Sequence, residues 1–372
     1  MSKKFLIISS EFPPGPGGIG RHAYSLAKSL VYHNVSVHVV SHFDHASEEE
    51  VSHFIKNIDE GITLHPISRK GAKTYFDRIR KVLNLTKKIG FDKVIITGSF
   101  PIWLGYMLKK KFGNNIVVEG FVHGTEINPE EKTKRLLTHT SLAALDKIWA
   151  VSTFTKSLLP QKVLDNNDVD VMPNGLDLLD WNYDEEKLKP FDDWKGYPKI
   201  LTVGSITPRK GQHQVIKALP KLIEKYPDIQ YHMVGVPANK DAIIELAEKL
   251  NVLDHITIHG RMQHHEDLIR SYLSADVFIM LSEKQDNGDV EGFGIAILEA
   301  NIMGLAAIGS NDSGIVDAID DGKNGFLVDG ANANEILTAI DKVLNYDKAI
   351  LTANCKAWAL KHDWNKLSEE LL

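Results

Sequence analysis

Apolar, strand-like runs alternate with helical runs along almost the whole chain, and the alternation is interrupted once near the middle and then begins again. The first half contains FLIISS, VSVHVVS, KVIITG, NIVVEGFVH and KIWAVS, and the second half contains KILTVG, IQYHMVG, ITIHG, VFIML, LAAIGS and GFLVD. Short, β-branched-rich runs bounded by turn residues are typical of buried parallel strands. The pattern therefore predicts an α/β fold with two doubly wound, Rossmann-like parallel-sheet domains, and 372 residues are enough for two full cores.

The boundary between the two halves is marked by DLLDWNYDEEKLKPFDDWKGYP, a stretch rich in Trp, Pro and acidic residues that has neither period. We predict a first domain over residues 1–176, a linker region over 177–198 and a second domain over 199–354. Ligands of such sheets bind beyond the carboxyl ends of the strands. Two such domains facing each other would form a cleft for a ligand.

Charge is distributed unevenly along the chain. Residues 1–175 hold 23 Lys and Arg against 17 Asp and Glu, whereas the remainder holds 20 against 32. Much of the positive charge lies between Arg69 and Lys93, where YFDRIRKVLNLTKKIG predicts an amphipathic helix. Its expected apolar side carries Phe76, Ile79, Val82 and Leu83, and its cations are Arg78, Arg80, Lys81, Lys87 and Lys88. Such a helix can rest on an anionic membrane, at about 1 kcal/mol per nearby cation, or pack on the core with a solvated basic face.

Other features of the sequence limit the partners and the compartment. The basic residues lack interleaved aromatics and no nucleic-acid-binding motif appears, so nucleic acid is not expected as a partner. The single Cys355 cannot form an intrachain disulfide, the start lacks a signal-peptide cleavage pattern, and no run approaches 18 apolar residues. We expect a cytoplasmic protein, either free or peripheral on the inner face of the membrane.

The stretch EGFGIAILE, residues 291–299, carries the most chemical information. If the two glycines form a turn and IAILEA starts a helix, Glu291 precedes the helix and Glu299 lies inside it, on the order of 12 Å away. Helix N-terminal amides bind anions, and carboxylates accept hydroxyl hydrogen bonds. The spacing suits a long polar ligand with a central pyrophosphate, such as a nucleotide sugar, although an ordinary helix start would have the same spacing.

Two predicted strand ends in the first half also present candidate binding residues. After FLIISS, a Gly- and Pro-rich loop leads into a helix near Gly20 or Arg21, and Gly17 and Gly18 would let loop amides approach a phosphate or sugar. This loop matches neither GxGxxG nor GK[ST], and a plain tight turn is the alternative. After VVEGFVH, the motif HGTEI places His123 and Glu126 at another strand end, where an imidazole could donate to a sugar hydroxyl.

A pair of cations follows the first predicted strand of the second half. In SITPRKGQHQ, Arg209 and Lys210 precede a helix, where positive charge is unfavourable for the helix dipole. An anion such as a pyrophosphate held between them would resolve this conflict, and a solvated pair is the alternative.

These motifs together resemble the retaining GT-B glycosyltransferases of the GT4 type (glycosyl transferases group 1) over nearly the whole chain. The similar segments are GGIGRHAYSLA, HGTE, VSTFTKSLL, MPNGLD, VGSITPRKGQ, DVEGFGIAILEA and GFLVDG. The segment SEKQDNGDVEGFGIAILEA is most similar to bacterial hexosyltransferases of the phosphatidylinositol mannosyltransferase kind. The resemblance implies that the C-terminal helix, about 355–372, crosses back onto the first domain, which would bind the acceptor.

The resemblance also implies roles for the candidate residues. Glu291 would bind the hydroxyls of the transferred sugar, Glu299 the ribose, and Lys210 the leaving diphosphate, while His123 would contact the donor sugar. The implied further contacts to the donor are Gly17, Gly18, Arg209, Gly292, Phe293 and Gly294, and on the acceptor side Arg21 and Glu126. The implied reaction transfers a hexosyl unit from a UDP- or GDP-linked sugar to a glycan or lipid-linked acceptor with retention. It needs no metal or other cofactor.

One residue departs from the family pattern. Members commonly carry an arginine five residues before the PRKG lysine, and here Ser205 stands at that position. Arg209 could supply the missing cation. Two alternatives to the transferase are a non-hydrolysing nucleotide-sugar epimerase on the same fold and a nucleotide-sugar-binding, non-catalytic partner of an active subunit.

Overall fold

Two separate parallel sheets organise the chain, one in each of two units. The computed structural model describes residues 2–15, 17–43, 46–67 and 74–372. The first unit comprises Met1–Asp177 and Trp364–Leu372, and the second comprises Leu178–Asp363. The predicted fold class of two parallel-sheet α/β domains is confirmed.

The first unit has seven parallel strands in the order β3-β2-β1-β4-β5-β6-β7. The strands are β1 (Lys4–Ser9), β2 (Ser36–Ser41), β3 (Ile62–Pro66), β4 (Lys93–Thr97), β5 (Val117–Val122), β6 (Lys147–Ala150) and β7 (Asp168–Val171). The helices between them are α1 (Gly18–Tyr32), α2 (Glu48–Asn57), α3 (Thr74–Ile89), α4 (Ser99–Phe112), α5 (Lys132–Leu142), α6 (Thr153–Ser157) and α7 (Gln161–Asn166).

The second unit repeats the plan with six parallel strands in the order β10-β9-β8-β11-β12-β13. The strands are β8 (Lys199–Val203), β9 (Gln230–Val234), β10 (Ile256–Gly260), β11 (Val277–Met280), β12 (Ala307–Ser310) and β13 (Gly325–Val328). The helices are α8 (Gln212–Lys225), α9 (Lys240–Lys249), α10 (His265–Ser274), α11 (Ile295–Ile302), α12 (Ala333–Asn345) and α13 (Lys348–Lys361). A short helix, α14 (Trp364–Leu367), follows and belongs to the first unit.

The strand predictions succeed where a strand is apolar throughout and fail at two edges. Every apolar run named above overlaps one of the observed strands over at least four residues, and the central strands β1, β4 and β11 are almost entirely buried. The sequence pattern missed β3 and β7, the two edge strands of the first sheet, where buried and exposed positions are mixed. Edge strands face solvent on one side, so their sequences lack the continuous apolar run that marks a central strand.

A histidine pair recurs at the same place in both sheets. His38 Nδ1 on β2 lies 2.9 Å from His65 Nε2 on β3, and His232 Nδ1 on β9 lies 3.0 Å from His259 Nε2 on β10. Both partner strands carry an I-T-x-H segment, and both pairs join the penultimate strand to the edge strand of their sheet. The two units therefore share a structural plan down to one side-chain contact, a repeat that the sequence patterns had not revealed.

The observed unit boundaries differ in detail from the predicted ones. Residues 178–198, assigned to a linker, belong to the second unit, and the segment that joins the first unit begins at Trp364 instead of near residue 355. Helix α13 packs within the second unit because Leu351, Cys355 and Ala359 form a buried face against its core. Among the described residues, no helix combines the length and apolar character that are needed to cross a bilayer.

The basic helix of the first unit differs from its predicted faces. Helix α3 forms, and Val82 is buried, but Phe76 on the expected apolar side is 79% exposed. Arg78, expected among the solvated cations, is 6% exposed because its guanidinium stacks on the rings of Tyr75 and Phe100. The first part of the predicted basic stretch, Arg69 to Lys73, lies outside the described residues.

Candidate active site

Three neighbouring strands of the second sheet end beside one another and carry the candidate residues of that unit. Strand β8 leads to a 3-10 turn at Pro208–Lys210, β11 leads to Glu291, and β12 leads to a 3-10 turn at Gly314–Asp317. Because β8, β11 and β12 are adjacent and parallel, their carboxyl ends lie at the same edge.

Glu291 is the centre of a buried ion cluster. Its Oε2 accepts from Lys210 Nζ at 2.7 Å and from Arg209 Nη1. Arg209 Nε also lies 3.2 Å from Asp289 Oδ2. The structure thus brings together Glu291, Lys210 and Arg209 as the sequence had grouped them, and adds Asp289. The anion predicted between the two cations is supplied by the protein itself.

The two cations keep Glu291 ionised despite its burial. Burial by itself raises the pKa of the carboxyl, but attraction to Lys210 and Arg209 outweighs it and lowers the pKa to about 2. For Arg209, burial lowers the pKa, while Glu291 and Asp289 raise it above its usual range. Glu291 and Arg209 are therefore both charged at neutral pH.

Close backbone approaches hold the cation-bearing turn in place. Gly211 has φ +72°, and a Cβ there would lie 1.7 Å from the carbonyl oxygen of Leu281. The Glu283 amide donates to the Arg209 carbonyl at 3.0 Å, and Gln214 Nε2 donates to Glu283 Oε2 at 2.8 Å. The loop after β11 therefore fixes both the turn and the first residues of α8.

The EGFG segment forms the predicted turn. Gly294 is the N-cap of α11 with φ +92°, so Glu291 precedes the helix and Glu299 lies inside it. Phe293 is 1% exposed, so its ring belongs to the core of the unit. Gly314 was missed by the sequence patterns: its amide donates to the Glu291 carbonyl at 2.9 Å, and a Cβ there would lie 2.0 Å from Gly292 O. Its only signal was the Ser-Gly pair after a predicted strand.

Glu299 has a partner that the sequence patterns also missed. It is 4% exposed, and its Oε2 accepts from the Tyr272 hydroxyl at 2.6 Å. Tyr272 lies on α10 and is itself buried. Such a bond orients the carboxylate before any ligand arrives.

The remaining candidate residues belong to the first unit. Gly17 is the N-cap of α1 with φ +137°, and a Cβ there would collide with the Glu11 carboxylate at 1.9 Å. Gly18 starts the helix, two residues before the expected start, and a Cβ there would meet no atom within 4 Å. The Arg21 amide donates to Gly17 O at 3.1 Å.

His123 and Glu126 form a hydrogen-bonded turn at the end of β5. His123 Nε2 lies 2.7 Å from Thr97 Oγ1, and the His123 amide donates to Glu126 Oε1 at 2.7 Å. Burial, together with the neighbouring His22, holds the pKa of His123 well below its usual range, so the ring is neutral. Burial raises the pKa of Glu126 to about 7, although the backbone bonds lower it and the Glu11 charge raises it further. Glu126 is 5% exposed, so in this structure it braces His123 and presents little surface to an acceptor.

Comparison with known proteins gives this arrangement its family. The pattern described as glycosyl transferases group 1 matches residues 184–360, and that of glycosyltransferase family 4 matches residues 16–179. The chain therefore combines a glycosyltransferase family 4 domain with a glycosyl transferases group 1 domain. It is therefore a glycosyltransferase, and the cluster around Glu291 lies in the segment that matches the group 1 pattern.

Individual relatives agree with this family. The chain is 25% identical over 351 residues to the GDP-mannose-dependent alpha-(1-6)-phosphatidylinositol monomannoside mannosyltransferase of Mycolicibacterium smegmatis, covering 91% of this chain and 88% of that protein. Sucrose-phosphate synthase from Thermosynechococcus elongatus superposes with a TM-score of 0.78 at 18% identity, covering 99% and 97% of the two chains. HepE from Anabaena in complex with UDP superposes with a TM-score of 0.75 at 16% identity, covering 99% and 98%. These structural neighbours share the GT-B fold.

The ion cluster predicts how the second unit responds to an anion. In Glu291→Gln, inorganic pyrophosphate should bind about tenfold more tightly than to the unsubstituted protein, because the competing carboxylate no longer occupies Lys210 and Arg209. Isothermal titration calorimetry measures the affinity. Glu335→Gln, which removes one exposed negative charge on α12, is the control and should leave it unchanged. Equal affinities for all three proteins would contradict the assignment.

Proposed function

We propose that this glycosyltransferase moves a hexosyl unit from a nucleoside diphosphate sugar to a glycan or lipid-linked acceptor, with retention of configuration, in bacterial cell-surface polysaccharide or glycolipid synthesis. The observation that carries the proposal is the ionised, buried Glu291 paired with two cations at the strand ends of a group 1 glycosyltransferase. A diphosphate leaving group needs such cations, and a sugar needs such an acceptor of hydroxyl hydrogens.

The cluster suggests an exchange of partners when the donor binds. A diphosphate carries more negative charge than one carboxylate, so it would draw Lys210 and Arg209 away from Glu291. Glu291 would then be free to accept hydrogen bonds from the sugar hydroxyls. During glycosidic bond cleavage the same two cations would stabilise the charge that develops on the leaving diphosphate.

Other residues would complete donor recognition. The amides of Gly292, Phe293 and Gly294 would meet the sugar and diphosphate, and Glu299, oriented by Tyr272, would accept from the ribose hydroxyls. In the first unit, the neutral His123 would contact the donor sugar, and Gly17 and Gly18 would bring backbone amides to the diphosphate. Arg21 would lie toward the acceptor, and the buried Glu126 would act on that side only through its bond to the His123 amide.

The relatives described above indicate which donors to test. The mycobacterial relative is named as GDP-mannose-dependent, and HepE is known in complex with UDP. A thermal-shift panel of GDP, UDP, GDP-mannose and UDP-glucose would therefore identify the base and the hexose. GDP-mannose is the first donor to examine, because the sequence similarity extends over most of both chains.

The transferase, the epimerase and the non-catalytic partner give different products with the identified donor. For the transferase we expect free nucleoside diphosphate to be released only when an acceptor is present, and the rate of release to stay the same when a chelator is added. Glu291→Gln should lose at least about 100-fold in kcat/KM. Chromatography of nucleotides and sugars measures all three. Interconversion of the nucleotide sugar without acceptor would instead identify the epimerase, and full function of Glu291→Gln in a complex would identify the non-catalytic partner.

Arg209 is the residue that we propose replaces the missing family arginine at Ser205. Its guanidinium and the Lys210 ammonium contact the same Glu291 oxygen, so the two cations already converge on one point. Arg209→Ala should lower kcat/KM about 100-fold, and the double variant Ser205→Arg with Arg209→Ala should recover at least about tenfold of that loss. Lys284→Ala, an exposed cation in the next loop, should have no effect. A double variant no better than Arg209→Ala would refute the compensation.

A surface patch of the first unit could hold the enzyme at a membrane that carries the acceptor. The α3–α5 patch, defined as Tyr75, Phe76, Leu136 and Leu137, has exposed fractions of 50%, 79%, 70% and 40%. Its two halves are connected through Phe100 and Trp103, since Tyr75 contacts Phe100 and Trp103 Nε1 donates to Thr138 at 3.0 Å. The same two helices also carry exposed cations, namely Arg80, Lys132 and Lys134, of which Lys134 is paired with Glu131. Exposed apolar side chains on helices that also carry cations suit an anionic lipid surface.

The patch predicts binding to anionic vesicles. Full-length protein should co-sediment with phosphatidylglycerol-containing vesicles and not with phosphatidylcholine vesicles, and the double variant Phe76→Ser with Leu136→Ser should bind at least about fivefold more weakly. Tyr32→Ser on α1, where the side chain is 67% exposed, is the matched control and should bind normally. Negligible binding of the unsubstituted protein to both vesicle types would exclude membrane attachment through this patch.

A further inference from the structure

A buried imidazole and a buried amide lie next to His123 in the first unit. His22 on α1 is 1% exposed, and Asn174, which follows β7, is 5% exposed. His22 Nδ1 lies 2.8 Å from Asn174 Oδ1. The two residues are 152 positions apart in the sequence and lie in the motifs GGIGRHA and MPNGLD, and neither His22 nor Asn174 had been assigned a role.

The Asn174 contact determines where His22 carries its proton. An amide oxygen only accepts, so the proton is on Nδ1 and the lone pair is on Nε2. Burial lowers the pKa of His22 to about 4, although the bond to Asn174 raises it, so the ring is neutral at physiological pH. Nε2 is buried without a hydrogen-bond partner. An unpaired buried nitrogen destabilises the fold by about 1–3 kcal/mol, which indicates that an imidazole is kept here for a reason other than stability.

Ring contacts confine His123 from the His22 side. The His22 and His123 ring centroids are 4.8 Å apart and nearly perpendicular, at 85°. Phe121 and Trp364 enclose His22 itself, with centroids at 4.7 and 5.0 Å. Thr97 Oγ1 lies 2.7 Å from His123 Nε2. The His123 ring is therefore held by a hydrogen bond from one side and by contact with the His22 ring from the other. Helix α1, the segment after β7 and the C-terminal segment thus all converge on one imidazole.

We propose that His22 and Asn174 are positioning residues that hold the His123 imidazole in the orientation needed for glycosyl transfer. This inference rests on the proposed function, in which His123 contacts the donor sugar. Asn174 fixes the tautomer and the ring plane of His22, and His22 in turn blocks rotation of the His123 ring. When a catalytic contact is misplaced, kcat falls far more than the affinity for the substrate does, because the contact is strongest in the transition state.

An effect on the orientation of His123 can be distinguished from an effect on donor affinity, because different residues would bind the diphosphate. Lys210 and Arg209 belong to the second unit, so donor affinity that depends on them should survive changes at His22 or Asn174. His22→Ala and Asn174→Leu should therefore lower kcat about 30-fold or more while the donor KM stays within about twofold. Asn174→Asp keeps an oxygen acceptor for the His22 Nδ1 proton and should retain kcat within about threefold.

A matched control corrects for loss of stability. Ser29 lies on the same helix as His22, is 2% exposed, and bonds to the Trp364 carbonyl at 2.8 Å, so Ser29→Ala perturbs the same C-terminal segment without touching His123. It should leave kcat unchanged. A kcat for His22→Ala and Asn174→Leu within twofold of that of Ser29→Ala would overturn the proposal, as would equal losses for Asn174→Asp and Asn174→Leu.

A second measurement does not depend on activity. Nitrogen-15 NMR of labelled full-length protein reports the tautomer of each histidine, with His123 assigned from the spectrum of His123→Gln. Asn174→Leu should shift the His123 ring resonances and Asn174→Asp should restore them. Unchanged His123 resonances in Asn174→Leu would overturn the positioning role. If the unsubstituted protein transfers no sugar, the proposed function fails, and this spectrum still tests the effect of the pair on His123.

Discussion

The buried carboxylate of Glu291 is the interaction on which the second unit depends. Taking a carboxylate out of water costs several kcal/mol, and removing one partner of such a buried pair typically costs about 3–5 kcal/mol. Two cations from one loop offset this cost, and each needs its backbone held in place. Gly211 against Leu281 O and Gly314 against Gly292 O allow the three strand-end loops to approach closely enough to do so. The ion cluster therefore depends on both glycines, because a larger residue at either position would push the loops apart and displace the charged side chains.

The first unit keeps its candidate histidines neutral, whereas the second unit pairs opposite charges. His22, which is buried, and His123, which is half-buried, are neutral because desolvation lowers their pKa values, and burial raises the pKa of Glu126 to about 7. No cation is needed to keep them in place, since hydrogen bonds to Thr97, Asn174 and a backbone amide satisfy them in part. The division suits the proposed chemistry. In that chemistry the cations Lys210 and Arg209 would bind the diphosphate, and the neutral His123 would contact the sugar.

Sequence patterns predicted all the central strands and missed two of the four edge strands, β3 and β7. A strand such as β1 or β11 is buried on both faces, so its whole sequence is apolar and easy to recognise. In β3 and β7 polar and apolar residues are mixed, and neither was predicted. Helix α3 shows a related failure. The apolar period of the helix correctly placed Val82 in the core. It could not reveal that Phe76 lies beyond the edge of the core, or that the rings of Tyr75 and Phe100 cover Arg78.

The amino-acid sequence by itself determined the fold class and the two-domain plan, and indicated candidate site residues such as Glu291 and Lys210, because these follow from apolar periods and from motifs at strand ends. Contacts between residues distant in the chain were decided only by the tertiary structure. The pairing of both cations with Glu291, the bond from Tyr272 to Glu299, and the meeting of His22 with Asn174 and Trp364 are of this kind. No local pattern encodes them, since each depends on how strands and helices from different parts of the chain pack side by side.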